Sequence, residues 1–326
     1  MEKFNTKIYD LSDYPISERN GTYGGNSGDK ESILINGSHW IIKYPTTTDG
    51  MERIGSLSYT ALPLSEYIGS QIFSLLSYDV HETRLGYRNG KIVVACKDFC
   101  NDDERLIEYR QLRNTYSDDV KKALSHSWSS TGNKHFSDLN EIMVHLKYNP
   151  MMKNVAGIKE RFWETAVIDT LINNNDRNNG NWGIIKSKST VRLAPIYDNA
   201  GAFSPKVPDS KLENRLKNKQ SLADAVNGNV TAYSIDGEHN LFIRDFLKLN
   251  IKELHDAIVK LTPIIESKLD DIQTFINGIP EGCEGIGIMS EIRKKEYIAE
   301  MMYRYEMLFL PQYEECWKMY QDRFEK

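Results

Sequence analysis

Two Asn-Gly pairs, Asn36-Gly37 and Asn89-Gly90, each stand between short apolar runs. Both residue types tolerate positive φ, which the tight turn of a two-residue hairpin demands, so each pair predicts a β-hairpin. The first joins Ser32–Ile35 to His39–Tyr44, and Pro45 stops the second run. The other follows Arg88 and joins His81–Tyr87 to Lys91–Ala95. Between the hairpins, Leu64, Ile68, Ile72, Leu75 and Leu76 recur at helical spacing over residues 63–77. Two hairpins around one helix predict a small, β-rich lobe.

The remainder reads as mostly helical. Charged residues 103–127 predict two short helices, and 128–136 an exposed loop. Residues 157–174 carry an apolar stripe at Phe162, Ala166, Val167 and Leu171, which predicts a buried helix with Trp163 as a core anchor. The Asn-rich run Asn173–Trp182 breaks that helix, and Trp182 reads as a second anchor. Strands are expected over Trp182–Lys186 and Val191–Tyr197, the latter ending at Asp198. Residues 204–240 are rich in Ser, Asn, Asp and Lys and predict a long, partly ordered excursion. Helical patterns return at about 241–249, 251–277 and 290–324.

Composition narrows the function classes. Lys plus Arg number 41 against 46 Asp plus Glu, a net charge of −5, so a global basic footprint for nucleic acid is lacking. No apolar run approaches the ~18 residues that span a bilayer. The N-terminal stretch lacks the cationic and apolar regions of a secretory signal. Four cysteines in 326 residues make no disulfide scaffold and suit a reduced cytoplasmic setting, with secretion as an effector left open. The scattered histidines and the single Cys96–Cys100 spacing argue against structural zinc, and Cys96 reads as a half-buried strand residue.

Three weak signals acquire meaning from their order. A Gly-rich segment (Gly24, Gly25, Asn26, Ser27, Gly28, Lys30) precedes a strand lysine, Lys43. Asp176 and Asn181 follow the buried helix, and Asp198 ends an apolar run after the next hairpin. Taken singly these are a tight turn, a solvated lysine and capping residues. In series they supply what phosphoryl transfer needs: backbone N–H groups and a lysine for phosphates, an Asp for the attacking hydroxyl, and an Asn and an Asp for Mg²⁺. Glu66, on the first helix, is a candidate ion-pair partner for Lys43; otherwise it is a glutamate favoured near the helix start. Arg177 reads as a phosphate ligand or as the partner of a surface carboxylate.

The set GGNSGDK, WIIKYP, SEY, VVACKDF, NDRNNGNWG and APIYDNAG resembles the HipA-like protein kinases, in particular their shorter members. The resemblance implies an α+β, two-lobed kinase-like fold, with a β-rich lobe over 1–100 and a mostly helical one over 101–326. It implies ATP- and Mg²⁺-dependent phosphorylation of Ser or Thr, with Tyr left open, on protein substrates and on the chain itself. Lys43 becomes the ATP-phosphate lysine, Asp176 the catalytic base or orienter, and Asn181 and Asp198 the metal ligands. Lys97, Asp98 and Phe99 become the hinge that meets adenine, and Ser27 an autophosphorylation site. Asn178 stands where relatives often carry His, and is expected to hydrogen-bond within its loop. A small antitoxin is the implied partner of a toxin-type kinase, and no direct nucleic-acid or membrane contact is implied. An Asp-Arg-x-x-x-Asn loop also serves phosphoinositide kinases. A lipid or small-molecule kinase and a nucleotide-binding pseudokinase module therefore stay open at this point.

Overall fold

A computed structural model describes residue 4 and residues 6–21, 30–47, 59–115, 117–125, 137–235 and 239–321. The chain divides into two compact units. One gathers Met1–Phe99, Asn199–Val226 and Glu266–Tyr303; the other gathers Cys100–Asp198, Asn227–Ile265 and Arg304–Lys326. The first break falls between Phe99 and Cys100, and later segments then return to each unit.

The first unit is built on strands β1 (Tyr9–Asp10), β2 (Lys30–Ile35), β3 (Ser38–Lys43), β4 (Thr83–Arg88) and β5 (Lys91–Lys97). They form one sheet in the order β1-β4-β5-β3-β2. β1 runs parallel to β4, and the other pairings are antiparallel. Both expected hairpins are present. Asn36 and Gly37 have φ of 50° and 76°, and Asn89 and Gly90 have 53° and 71°, the left-handed pair that a twisted two-residue hairpin needs. One sheet face buries Leu11, Ile33, Ile35, Trp40, Ile42, Val93 and Ala95 together. Helix α1 (Leu62–Leu75), with Pro63 in its first turn, packs on β4 and β5 and buries Leu64, Ile68, Ile72 and Phe73. The run Val93–Cys96 is therefore buried on both faces, which explains its unbroken apolar character. Cys96, expected to be half-buried, is 2% exposed, because α1 covers its side of the sheet.

The expected excursion over 204–240 is instead largely ordered. It contains the helices Asp209–Leu216 and Lys219–Asn227. Each hides a single apolar residue, Leu212 and Val226, so their composition looks like a loop. Arg215 replaces a greasy stripe as the anchor: it reaches Glu296 at 2.8 Å and Glu300 at 2.6 Å on the helix Glu291–Arg304.

In the second unit, β6 (Arg105–Glu108), Gly183–Lys186 and Val191–Leu193 form a three-stranded sheet. A strand thus opens the stretch expected to hold only short helices, and the helices Tyr109–Leu112 and Asp118–Leu124 follow it. Its four residues are too few to signal a strand locally; pairing with Gly183–Lys186 decides the outcome. Gly183 permits that pairing, since a Cβ there would lie 2.2 Å from the Ile107 carbonyl oxygen. The strand expected to run to Tyr197 stops at Leu193, two residues before Pro195, which has no amide proton. The helix Ile158–Leu171 forms as expected and is buried nearly all round. Trp163 is 1% exposed, and Trp182 stacks on Tyr109 with ring centroids 4.4 Å apart.

Candidate active site

In the first unit, Lys43 ends β3 directly opposite Lys30 on β2. Directly paired residues share a sheet face, so two lysines stand side by side at this end of the hairpin. Gly24, Gly25, Asn26, Ser27 and Gly28 lie outside the described residues. The Lys43 Nζ donates to Glu66 Oε2 at 2.7 Å. The lysine side chain is 20% exposed and the glutamate 0%, so the cation reaches outward from a buried anion. Glu66 Oε1 accepts from the Asn199 N–H at 2.9 Å and faces His81 Nε2 at 3.0 Å. Burial pushes the Glu66 carboxyl up. The Lys43 charge and the His81 hydrogen bond more than offset it, and the group is held well below the usual carboxylate range.

The expected hinge leaves β5 with two of its amide protons engaged. Lys97 N–H donates to the Glu82 carbonyl and Asp98 N–H to the His39 carbonyl, both at 2.9 Å. The Lys97 Nζ lies 3.1 Å from Glu82 Oε2, and Asp98 Oδ2 accepts from Arg19 at 2.6 Å.

In the second unit, the loop after the helix Ile158–Leu171 is built around one buried ion pair. Asn173 turns the chain out of the helix at φ 53°. Arg177 then folds back so that Nε and Nη2 donate to Asp169 Oδ2 and Oδ1 at 2.7 and 2.9 Å. Burial alone would favour loss of the arginine proton, and the Asp169 charge reverses this and holds it on. Arg177 is 1% exposed, so it is neither a phosphate ligand nor the partner of a surface carboxylate. Its Nη1 donates to two backbone carbonyls, Asn181 at 3.2 Å and Tyr197 at 2.5 Å. One guanidinium nitrogen therefore ties Asn181 to the residue before Asp198.

The loop closes on itself. The Asn181 side-chain amide donates to the Asp176 carbonyl at 2.6 Å, which directs its Oδ1 elsewhere. Asn178, as expected, bonds within the loop: its amide donates to Asp176 Oδ1 at 3.1 Å and its carbonyl accepts from Gly180 N–H at 2.8 Å. Asp176 is exposed and Asp198 half-buried, the latter at φ 59°. The second unit thus presents an exposed carboxylate, an amide oxygen and a half-buried carboxylate on a braced backbone.

Sequence reasoning missed Asp169, Ser70, His81 and Asn199. Asp169 carried a usable signal: it falls three residues after Ala166 and seven after Phe162, on the apolar stripe, where an acid demands a buried cation. The other three meet only through tertiary structure.

Residues 23–262 match the HipA-like C-terminal domain family. The serine/threonine-protein kinase CtkA of Helicobacter pylori strain J99 is 30% identical over 284 residues, which cover 86% of this chain and 80% of that protein. The crystal structure of a Helicobacter pylori proinflammatory kinase CtkA is similar with a TM-score of 0.82 at 26% identity, covering 96% of this chain and 99% of that one. The α+β, two-lobed kinase-like class expected from the sequence is therefore the fold class of this chain. HipA of Shewanella oneidensis MR-1, solved with HipB and operator DNA, gives a TM-score of 0.46 at 15% identity, over 94% of this chain and 70% of that one.

Proposed function

We propose that this chain, which belongs to the HipA-like family and is an enzyme of the protein-kinase class, transfers the γ-phosphoryl group of magnesium-bound ATP to serine or threonine hydroxyls of proteins. The observation that carries this reading is the shared anchor of Asn181 and Tyr197 on Arg177 Nη1. It holds the backbones of two oxygen donors, the Asn181 amide and the Asp198 carboxylate, to one point beside the Asp176 loop.

That donor set fits magnesium. Both ligands are hard oxygens, and neither a thiolate nor an imidazole is among them. Magnesium, when bound, offsets charge on the phosphate oxygens. Lys43, fixed by Glu66, is the cation for the phosphates, with Lys30 beside it. Asp176 is the exposed acceptor that orients the attacking hydroxyl and takes its proton. In this reading residues 1–100 supply the nucleotide groups and 101–326 the catalytic loop. The Gly-rich segment Gly24, Gly25, Asn26, Ser27, Gly28 covers the phosphates, and Ser27 is an autophosphorylation site. Adenine meets backbone of Lys97, Asp98 and Phe99 through groups other than the two engaged amide protons.

The biological setting that goes with this reading is a toxin-type or effector kinase with protein substrates, a cytoplasmic location and a small antitoxin as partner. No helix among the described residues is long and apolar enough to cross a membrane. Single-turnover transfer from γ-labelled ATP tests the reading. The expected result is magnesium-dependent labelling that Asp198→Ala abolishes while the chain stays folded. Tight ATP binding with no transfer by the unaltered chain would instead make it a nucleotide-binding pseudokinase.

A further inference from the structure

Glu66 sits in a closed ring of buried hydrogen bonds that the transfer chemistry alone does not require. Its Oε1 accepts from Asn199 N–H at 2.9 Å. The Asn199 side-chain amide donates to Ser70 Oγ at 2.9 Å. Ser70 Oγ lies 3.1 Å from His81 Nε2, and that nitrogen lies 3.0 Å from Glu66 Oε1. An ionised carboxylate only accepts, so His81 Nε2 carries a proton and is the donor, and that one proton is shared between Glu66 Oε1 and Ser70 Oγ, which closes the ring. Glu66, Ser70 and Asn199 are 0% exposed and His81 is 5% exposed. Glu66 and Ser70 are one helical turn apart on α1, and Gly69 between them lets Asn199 approach. A Cβ at Gly69 would lie 2.8 Å from the Asn199 Cβ.

The ring does two things at once. It fixes both oxygens of the carboxylate that holds Lys43: Oε2 faces the ammonium and Oε1 faces two N–H donors. It also grips Asn199 by backbone and side chain, and Asn199 directly follows Asp198. Cys96 brings a sulfur within 4.8 Å of the Glu66 and His81 donor atoms, yet a metal ion there would compete with the Lys43 ammonium for Glu66. The arrangement therefore reads as a hydrogen-bonded brace.

We propose that His81 and Asn199, bridged by Ser70, are positioning residues that orient Glu66, and through it Lys43, for phosphate binding while holding the backbone after Asp198. A carboxylate with three fixed partners cannot rotate, so the lysine is pre-organised before nucleotide arrives. Removing one donor frees the carboxylate and opens the Nζ–Oε2 contact more often.

This rests on the kinase reading, and its test separates the two. His81→Leu is expected to raise the KM for ATP about tenfold with a smaller fall in kcat, and His81→Gln, which restores an N–H at the Nε2 position, is expected to recover most of the loss. In a Glu66→Gln background, His81→Leu should add less than about twofold, because partners in one network are not additive. Full multiplication of the two losses would assign His81 a general packing role and overturn the proposal. Acylation of Lys43 by an amine-reactive ester, read by mass spectrometry against exposed Lys121, needs no transfer activity. It should accelerate severalfold in His81→Leu and not in His81→Gln. Unchanged Lys43 labelling in His81→Leu would overturn the brace even if the unaltered chain transferred no phosphate. Should His81→Leu fail to fold, Ser70→Ala opens the same ring by deleting one hydroxyl, and the same two readouts apply.

Discussion

Each unit carries a buried carboxylate paired with a cation, and the two pairs differ in where the cation ends. Arg177 lies wholly inside with Asp169, their side chains 2% and 3% exposed, and its remaining nitrogen is spent on two carbonyls. Lys43 keeps 20% of its side chain exposed over a fully buried Glu66. A buried pair in which all three guanidinium nitrogens are bonded is a strut. A buried anion with an outward cation keeps charge available to a ligand. The same ion-pair chemistry thus braces the Asp176–Asn181 loop in one unit and leaves a lysine cation directed outward in the other, which under the proposed function are the catalytic loop and the phosphate lysine.

The contrast can be broken by substitution. Arg177→Met leaves Asp169 buried without its partner, so denaturant unfolding should show a loss of about 3–5 kcal/mol. A loss near zero would mean that Arg177 is no strut. Lys43→Met should cost about 10²–10³-fold in phosphoryl transfer, the scale for removing one pre-organised electrostatic partner, with a smaller stability loss than Arg177→Met. Equal destabilisation by both variants would erase the distinction. Gly69→Ala pushes a methyl against Asn199 and should cost about 1–3 kcal/mol of stability by overpacking. Calorimetric melting of this variant checks whether α1 and the Asn199 segment must meet so closely.

The smallest effect concerns pH. Glu66 is held ionised, whereas Glu296 is pushed up to about 8 by burial and by the neighbouring Glu300, with Arg215 opposing. Between its ordinary value of 4.5 and about 8, Glu296 keeps a proton in the folded chain that the unfolded chain releases. Its contribution to stability is full below the unfolded value and is lost as pH rises through the folded one. For Glu66, the lowered folded value gives the opposite sign: its contribution is present above the unfolded value and is lost only in strong acid. Melting temperatures across pH 5–8 should decline less in Glu296→Gln than in the unaltered chain.

What the sequence disclosed follows the range of the interactions that decide each element. The two Asn-Gly hairpins, α1 and the helix Ile158–Leu171 are governed by turn chemistry and apolar period, which are local. The strand Arg105–Glu108 and the helix Asp209–Leu216 are not, because a partner strand and the Arg215 anchor decide them. The same holds for the site. Lys43 and Glu66 were legible as a strand lysine and a helix glutamate in the right order, and they do pair. Asn178 was legible as a loop-bonding residue. Arg177 was misread because its partner, Asp169, hides in an apolar helix eight residues earlier. Ser70, His81 and Asn199 come from three separate segments, and no spacing rule brings them together.

The central claim is chemical, and phosphopeptide mapping tests it most directly. The purified chain is incubated with ATP and magnesium beside Asp176→Ala, and both are digested and sequenced by mass spectrometry. The account predicts phosphate on serine or threonine of the unaltered chain, Ser27 among the sites, and none on the folded Asp176→Ala variant. Equal phosphorylation of both chains would contradict it.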